Sequence, residues 1–176
     1  MSSNATHIVL ISGPVGVGKT TVAQELSGLL VAQSIPHTFV DLDALTHTYP
    51  RPDHDPFGQE LALRNLKAVW SNAQDSRPRL LLVARVIESE ASAQKIAEAV
   101  EGTGCTLVQL MAQDETLLER VRKRETGAGR DWHEARAIEL SRSLSKTEIA
   151  DLIFQTDGVS PTEIATQLLQ KLDLFQ

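Results

Sequence analysis

A glycine-rich segment near the start of the chain, GPVGVGKT at 13–20, constrains the fold more than any other feature. It follows an apolar run at 7–12, which predicts a buried strand, and it leads into residues 19–33, whose apolar stripe predicts a helix. A strand, a glycine-rich turn and a helix in this order form a P-loop unit, in which the turn wraps around phosphate groups. The sequence therefore predicts a chain that folds around a phosphate-binding turn.

The residue types of this segment suit the phosphates of a nucleotide. Glycines let the backbone approach phosphate oxygens closely, and successive amides at a helix N-terminus direct positive charge at an anion. Lys19 is expected to reach the β- and γ-phosphates, which makes it a candidate catalytic residue, and the hydroxyl of Thr20 is expected to bind Mg²⁺. The predicted nucleotide-binding residues here are Gly13, Pro14, Val15, Gly16, Val17, Gly18, Lys19, Thr20 and Thr21.

The rest of the chain alternates between apolar runs and helical patterns. Four more strands are predicted at 38–41, 79–84, 106–110 and 152–155. Helices are predicted at 60–70, 92–100, 114–124 and 134–144, and a capping box at 160–163 starts a last helix. Because the strand runs are continuously apolar and alternate with helices, the sequence predicts an α/β fold with a parallel sheet covered on both faces.

The length of 176 residues favours one domain that spans 1–176. The proline-rich stretch 44–78 is expected to be an excursion over the carboxyl edge of the sheet rather than a domain boundary. Ligands of such sheets bind at the carboxyl ends of the strands. The candidate functional residues below lie at those ends.

Two carboxylates, Asp41 and Asp43, follow the second predicted strand, whereas the third ends in Arg85 without an acid. Residues two apart in an extended segment point to the same side, so both carboxylates are expected to face the γ-phosphate. One would hold a Mg²⁺-bound water and the other would accept the proton of an attacking hydroxyl. We favour Asp41 as the base or substrate contact and Asp43 as the metal-side carboxylate, with the reverse order open. The alternative is a pair of strand-end acids that contact only solvent.

Arginines concentrate further along, in a segment expected to act as a short lid at about 120–133. Arg120 and Arg124 are four positions apart on a predicted helix and share one face. Arg130 follows the glycine-containing loop 126–129, whose glycines could serve as hinges. Phosphoryl transfer needs positive charge around the moving group, which makes Arg124 and Arg130 candidate catalytic residues. The alternative is a solvated basic helix face.

These segments resemble the nucleoside/nucleotide-kinase-like group of P-loop proteins, which includes shikimate kinase, gluconate kinase, adenylylsulfate kinase, chloramphenicol phosphotransferase and adenylate kinase. The resemblance rests on SGPVGVGKTT, on the acidic pair after the second strand, on LLERVRKR with Arg130 beyond it, and on FQTDGVSPTEIATQLL. It implies a three-layer sandwich with a five-stranded parallel sheet in the order 2-3-1-4-5. It also implies ATP as the phosphoryl donor, with Mg²⁺, and a mobile lid.

The resemblance further implies roles for single residues. Arg120 would stack on adenine, Arg124 would contact phosphate, and Arg130 would approach the γ-phosphate when the lid closes. Pro161 would pack beside the adenine. The chain lacks the glycine-rich segment of shikimate kinases after the third strand and the long lid insertion of large adenylate kinases, so the acceptor stays open.

The acceptor is expected to bind between the second strand and the helices that follow it, again by resemblance. The candidate contacts are Asp41, Asp43, Arg64 and Arg85. An arginine binds an anionic group through two parallel hydrogen bonds, so either arginine would suit an anionic acceptor.

The composition of the chain argues against nucleic acid and membranes as partners and leaves a small-molecule acceptor. The net charge of −6 gives no basic face for nucleic acid, and no apolar run approaches the length of about 20 residues that spans a bilayer. No signal peptide is read at the start, and a single cysteine fits a reducing compartment, so we expect a cytoplasmic protein, monomer or homodimer.

A kinase of small metabolites or antibiotics is the favoured function. Two alternatives stay open: a nucleoside or nucleotide kinase, and an ATP-binding regulatory module that hydrolyses ATP slowly without transferring phosphate. A GTPase is disfavoured because the chain carries no N-K-x-D segment.

Overall fold

The computed structural model describes residues 6–127 and 129–172. Ala128, in the expected lid, and both ends of the expected domain 1–176 lie outside the described residues. The strands are β1 (His7–Ser12), β2 (His37–Asp41), β3 (Leu80–Ala84), β4 (Gly104–Met111) and β5 (Leu152–Gln155). The helices are α1 (Lys19–Ala32), α2 (Gln59–Ala73), α3 (Glu90–Ala99), α4 (Asp114–Arg124), α5 (Arg130–Leu144) and α6 (Pro161–Lys171), with short 3-10 turns at Ala44–Thr46 and Gln74–Ser76.

The five strands form one parallel sheet in the order β2-β3-β1-β4-β5, which confirms the predicted α/β fold. β1 lies at the centre, where Ile8 pairs with Leu81 of β3 and with Cys105 of β4. The carboxyl ends of all five strands therefore lie along one edge. The glycine-rich turn after β1 lies in the middle of that edge.

Side-chain alternation along the strands divides the core between the two faces of the sheet. In β1, Val9 and Ile11 pack with apolar residues of α1, α4 and α6, whereas Ile8 and Leu10 pack with those of α2 and α3. All four of these side chains are buried. Both faces are thus covered by helices, as the continuously apolar strand runs predict.

Side-chain caps explain where two helices begin. The Ser160 hydroxyl accepts a hydrogen bond from the Glu163 amide at 3.2 Å, and the Glu163 carboxylate accepts one from the Ser160 amide at 2.9 Å. This capping box, with Pro161 at the first helical position, confirms the predicted start of α6. The buried Asp55 carboxylate accepts hydrogen bonds from the amides of Gln59 and Leu61 and fixes the start of α2.

The helix predicted at 60–70 is confirmed as α2, whose Ala62 and Leu66 pack against the sheet within the stretch 44–78. One boundary differs from the sequence-based expectation. α5 begins at Arg130 rather than at residue 134, so Arg130 lies in the helix and not in the loop before it. The periodic pattern missed this first turn because its residues are polar or exposed. None of the helices in the described part of the chain combines the length and apolar content needed to cross a membrane.

Candidate active site

The glycine-rich turn adopts a backbone that only glycine accommodates easily. Gly13, Gly16 and Gly18 have φ values of +144°, +83° and +102°. A Cβ at Gly13 would also collide with the backbone carbonyl oxygen of Leu110, in the neighbouring strand β4. The turn therefore passes directly over the sheet edge and leaves an open concave backbone, the shape that a chain of phosphates fits.

Lys19 closes this turn from the start of α1. Its ammonium group donates hydrogen bonds to the carbonyl oxygens of Gly13 at 3.0 Å and Pro14 at 3.1 Å. Burial lowers the pKa of Lys19 from 10.5 to about 8, an effect that the negative charges of Asp43 and Asp41 oppose and the positive charge of Arg124 reinforces. The lysine is thus held beside the turn, within the influence of both carboxylates.

Thr20 and Asp41 are in direct contact. The Thr20 hydroxyl donates a hydrogen bond of 2.7 Å to Oδ2 of Asp41, the last residue of β2. The other carboxylate oxygen, Oδ1, accepts a hydrogen bond of 3.2 Å from the amide of Ala44. Both oxygens of Asp41 are therefore engaged, one of them by the hydroxyl predicted to bind the metal.

Asp43 has different surroundings, because the chain turns after β2. Its backbone is helical, with φ −67° and ψ −37°, rather than extended, since the buried Leu42 turns into the core before the 3-10 turn. The expected extended geometry of the acidic pair is therefore wrong. Asp43 is about half exposed, and its Oδ1 lies 3.7 Å from Nη1 of Arg85, the residue that follows β3. Its charge still affects Lys19 more than that of Asp41 does.

Arg120 ties the glycine-rich turn to the far end of the sheet. Its guanidinium group donates hydrogen bonds to the carbonyl oxygen of Val17 at 3.2 Å and to the hydroxyl and carbonyl oxygens of Thr156 at 2.9 and 3.0 Å. Thr156 follows β5 and is buried. The planar face of the guanidinium is consequently fixed beside the turn.

A cavity of about 400 Å³ opens next to Arg120. Its apolar wall comprises Val159, Pro161 and Ile164, and it also contacts Thr21 and Arg124. Ligand pockets typically measure roughly 300–1,000 Å³ and combine an apolar lining with a few polar groups. The cavity continues the glycine-rich turn toward α6 and has the size and lining of a site for a planar base.

The other two arginines of the expected lid lie on the surface. Arg124 forms an ion pair with Glu125 at 2.9 Å, and its charge is close enough to Lys19 to lower the pKa of that lysine. Arg130 lies 3.7 Å from Glu134, one turn further along α5, and is about half exposed. Arg124 thus belongs to the site in this structure, whereas Arg130 forms an ion pair within its own helix.

Of the two arginines predicted to bind the acceptor, one lies at the site and the other does not. Arg85 is largely buried and lines a small cavity of about 50 Å³ with residues of α2 and α3. Arg64 is exposed on α2 between the buried Ala62 and Leu66, and it is not among the described residues that line this cavity. The structure therefore brings Arg85 to the acidic pair and leaves Arg64 on the outer face of its helix.

Sequence reasoning missed two contributors to the site. Thr156 holds Arg120, and its position directly after a predicted strand was the signal that could have identified it. Lys95 lines the cavity beside Arg85, but a lysine on a helix surface gives no sequence signal. A larger groove of about 850 Å³ lies between α4 and α5, and among its described lining residues are none of the glycine-rich turn, so it is separate from this site.

The residues present fit a nucleotide with its metal. Glycine at position 13 lets the turn pass close to the backbone of β4, and the space beside Gly18 is open. Mg²⁺ usually binds one or two carboxylates, waters and substrate phosphates, and Thr20 and Asp41 supply neighbouring oxygens of this kind. When bound, the metal would neutralise charge on the terminal phosphates.

Solved structures share this fold. A sugar kinase from Janibacter sp. HTCC2649 is 19% identical with a TM-score of 0.66, over 97% of this chain and 96% of its own. The tunicamycin resistance protein of Deinococcus radiodurans is 20% identical with a TM-score of 0.60, over 96% of each chain. Shikimate kinase from Acinetobacter baumannii is 22% identical with a TM-score of 0.57, over 96% of this chain and 93% of its own.

The sequence itself was compared with curated proteins and with protein families. No curated protein matches it. A family model described as an AAA domain matches residues 9–142, which include the glycine-rich turn, the acidic pair and the arginines of α4. With the P-loop geometry described above, this match shows that the chain belongs to the AAA-domain family of P-loop proteins.

Proposed function

We propose that the protein is a kinase that transfers the γ-phosphoryl group of Mg²⁺-ATP to a hydroxyl group of a small molecule. The observation that carries the proposal is the position of Asp43. Its half-exposed carboxylate is close enough to Lys19 to oppose the lowering of the pKa of that lysine, and it lies 3.7 Å from Nη1 of Arg85. A carboxylate free to accept a proton thus stands between the phosphate turn and the acceptor cavity.

The transfer assigns a role to each of these groups. The acceptor oxygen attacks the γ-phosphorus, the bond from that phosphorus to the bridging oxygen breaks, and ADP leaves with the bonding electrons. The hydroxyl proton passes to the Asp43 carboxylate. Lys19 and Arg124 offset the negative charge of the phosphates during transfer, which is the principal task of a protein in this chemistry. Arg130 would join them if the segment before α5 closes.

The two carboxylates therefore exchange the roles that the sequence favoured. Asp41 is proposed on the metal side, because the Thr20 hydroxyl and the Ala44 amide already occupy its oxygens. Asp43 is proposed as the base, because its carboxylate has no such amide or hydroxyl donor among the described residues and faces the acceptor side.

The nucleotide itself is proposed to lie along the turn with its base beside Arg120. The apolar wall of Val159, Pro161 and Ile164 supports a planar base on one side. The fixed guanidinium offers a flat cationic surface on which a base stacks. We place the reaction in the cytoplasm, where ATP is available.

Two of the similar structures carry kinase in their descriptions, a sugar kinase and a shikimate kinase, and the third is a tunicamycin resistance protein. At 19–22% identity they support a small-molecule acceptor without naming it.

The direct test incubates the purified protein with Mg²⁺ and ATP labelled in the γ-phosphate. The acceptors are sugar acids, shikimate-like alcohols, nucleosides and antibiotics. We expect label to pass to an acceptor, with slow hydrolysis when none is present. Transfer to nucleosides alone would make the protein a nucleoside kinase rather than a kinase of metabolites or antibiotics. Steady hydrolysis without transfer would indicate a regulatory ATPase and would overturn the proposal.

The base is tested with Asp43→Asn. We expect transfer to fall by roughly 10²–10⁴-fold, the usual contribution of a positioned base, while ATP affinity changes little. Asp53→Asn, which removes an exposed carboxylate in the irregular segment before α2, is the matched control and should transfer phosphate at the wild-type rate.

A further inference from the structure

One nitrogen of the Arg85 guanidinium group stands out among the buried polar atoms of the described residues. Its Nη1 atom is buried and has no hydrogen-bond partner among the residues that the structure describes. The nearest acid, Asp43, lies at 3.7 Å, which is too long for a hydrogen bond. A buried polar group without a partner costs free energy, and a charged one costs more, so such a group needs an explanation.

The surroundings of Arg85 supply one. It begins the segment after β3 and lines the cavity of about 50 Å³ between β3, α2 and α3. Most of the wall is apolar, including Leu42, Leu63 and Ile96, and Lys95 contributes a second cation. A small apolar cavity with two cations and one neighbouring carboxylate carries a net positive charge and favours an anion.

The size of the cavity limits the anion. The cavity measures about 50 Å³, so a compact anionic group fits it better than a bulky one. A carboxylate with three heavy atoms suits it better than a phosphate with five. A guanidinium also pairs with a carboxylate through two parallel hydrogen bonds, which would satisfy the unpartnered nitrogen.

We propose that the acceptor is a compact hydroxy acid whose carboxylate binds Arg85 in this cavity while its hydroxyl faces Asp43. The inference rests on the proposed kinase function and specifies its substrate class. The acceptor's carboxylate would lie about 3 Å from Arg85, and its hydroxyl would lie about 3 Å from Asp43. Because Arg85 and Asp43 are 3.7 Å apart, the two acceptor groups lie within about 10 Å of each other. The cavity thus favours acceptors that carry a negative charge, and Asp43 requires that they also carry a hydroxyl group nearby.

The test compares matched pairs of acceptors, namely gluconate, shikimate and glycerate, each against its primary amide. Phosphoryl transfer and the ligand-induced rise in unfolding temperature are measured for each. We expect at least one acid to exceed its amide by roughly ten- to a hundredfold in transfer efficiency, the range that hydrogen bonds to a charged group supply. Glycerol 3-phosphate, which offers a phosphate in place of the carboxylate, should be a poor acceptor.

Arg85→Met should abolish the preference for the acid without unfolding the protein. Removing a largely buried charge that lacks a hydrogen bond should leave the unfolding temperature unchanged or raise it. The matched control is Arg79→Met, an exposed arginine just before the other end of β3, which should keep the wild-type preference.

The outcomes separate the two proposals. Equal transfer to acids and amides would overturn the proposed anion site. So would a loss of the acid preference in Arg85→Met that is accompanied by a general loss of stability. Either result would leave the kinase function standing. Stabilisation by acids that disappears in Arg85→Met, together with no transfer to any acceptor, would keep the anion site and overturn the kinase function. Preferential transfer to glycerol 3-phosphate would show that Arg85 binds a phosphate group rather than a carboxylate. It would overturn the proposal that the acceptor is a hydroxy acid.

Discussion

The side-chain hydroxyl of Thr20 donates a 2.7 Å hydrogen bond to Oδ2 of Asp41, so the first turn of α1 is joined to the end of β2. Thr20 follows β1 through the glycine-rich turn, whereas Asp41 ends β2, and β3 separates these two strands in the sheet. The contact brings an oxygen of the phosphate turn and a carboxylate to one point. Such a hydroxyl and carboxylate would hold a hydrated Mg²⁺ together with the nucleotide, as we propose above.

Asp41→Asn should weaken the magnesium dependence of ATP binding. Groups just outside a metal's ligands typically contribute 10–100-fold to metal affinity, and we expect a loss of about tenfold. Calorimetric titration of ATP with and without Mg²⁺ measures this difference. Asp43→Asn should retain the wild-type magnesium dependence, because Asp43 faces Arg85 rather than Thr20. Equal losses in both variants would show that the two carboxylates act on the metal together.

The pKa of Lys19 predicts how nucleotide binding responds to pH. Burial lowers this pKa from 10.5 to about 8 in the empty site, and bound phosphates would raise it again. Above pH 8 the lysine must therefore take up a proton as ATP binds, so the affinity should fall by up to about tenfold for each pH unit. Well below pH 8 the lysine is already charged, so its protonation should no longer make the ATP affinity depend on pH.

Calorimetry in two buffers that differ in ionisation enthalpy measures the proton uptake. Wild-type protein should take up a proton near pH 9 and none near about pH 6.5. Lys19→Arg is the control, because a guanidinium stays charged over this range. Proton uptake that persists in Lys19→Arg would assign the titration to another group.

The same pKa predicts a change in stability. Between the lowered value of about 8 and the ordinary value of 10.5, the unfolded chain binds more protons at Lys19 than the folded chain does. Lys19 therefore adds to the free energy of unfolding of the empty protein as the pH rises through this window. Urea titrations of wild type and Lys19→Arg at both ends of the window measure the difference, and parallel pH profiles would contradict the lowered pKa.

Arg120→Lys should uncouple the glycine-rich turn from the segment after β5. Lysine keeps the charge but not the planar fork that reaches Val17 and Thr156 together. We expect the free energy of unfolding to fall by about 1–3 kcal/mol, with weaker ATP binding, as urea denaturation and calorimetry would show. Arg122→Lys, on the same helix but in an exposed ion pair with Glu134, should change neither quantity appreciably.

Gly13→Ala and Gly28→Ala should have opposite effects on stability. A methyl group at Gly13 meets the carbonyl oxygen of Leu110 in a backbone conformation with φ +144°, so we expect a loss of at least about 1–3 kcal/mol. Gly28 lies inside α1 with no atom near its missing Cβ, and alanine there should add about 1 kcal/mol. Thermal or urea unfolding measures both, and a neutral Gly13→Ala would show that the turn relaxes.

Local patterns in the sequence predicted the elements of the fold well. The apolar runs located all five strands, because a strand buried on both faces must be continuously apolar. The P-loop unit and the capping box of α6 could also be predicted, because each depends on residues close together in the chain. The start of α5 was missed because its first turn carries no apolar stripe.

The sequence alone thus determined a parallel α/β fold with a phosphate-binding turn, because hydrophobic periodicity and turn chemistry act over short distances. Only the tertiary structure decided which carboxylate meets Thr20, how Arg120 reaches Thr156 and that Nη1 of Arg85 is buried without a hydrogen bond to the described residues. The first two contacts join residues 21 and 36 positions apart. Such contacts depend on strand order and on the turn after β2, because the sheet brings the ends of distant strands to one edge.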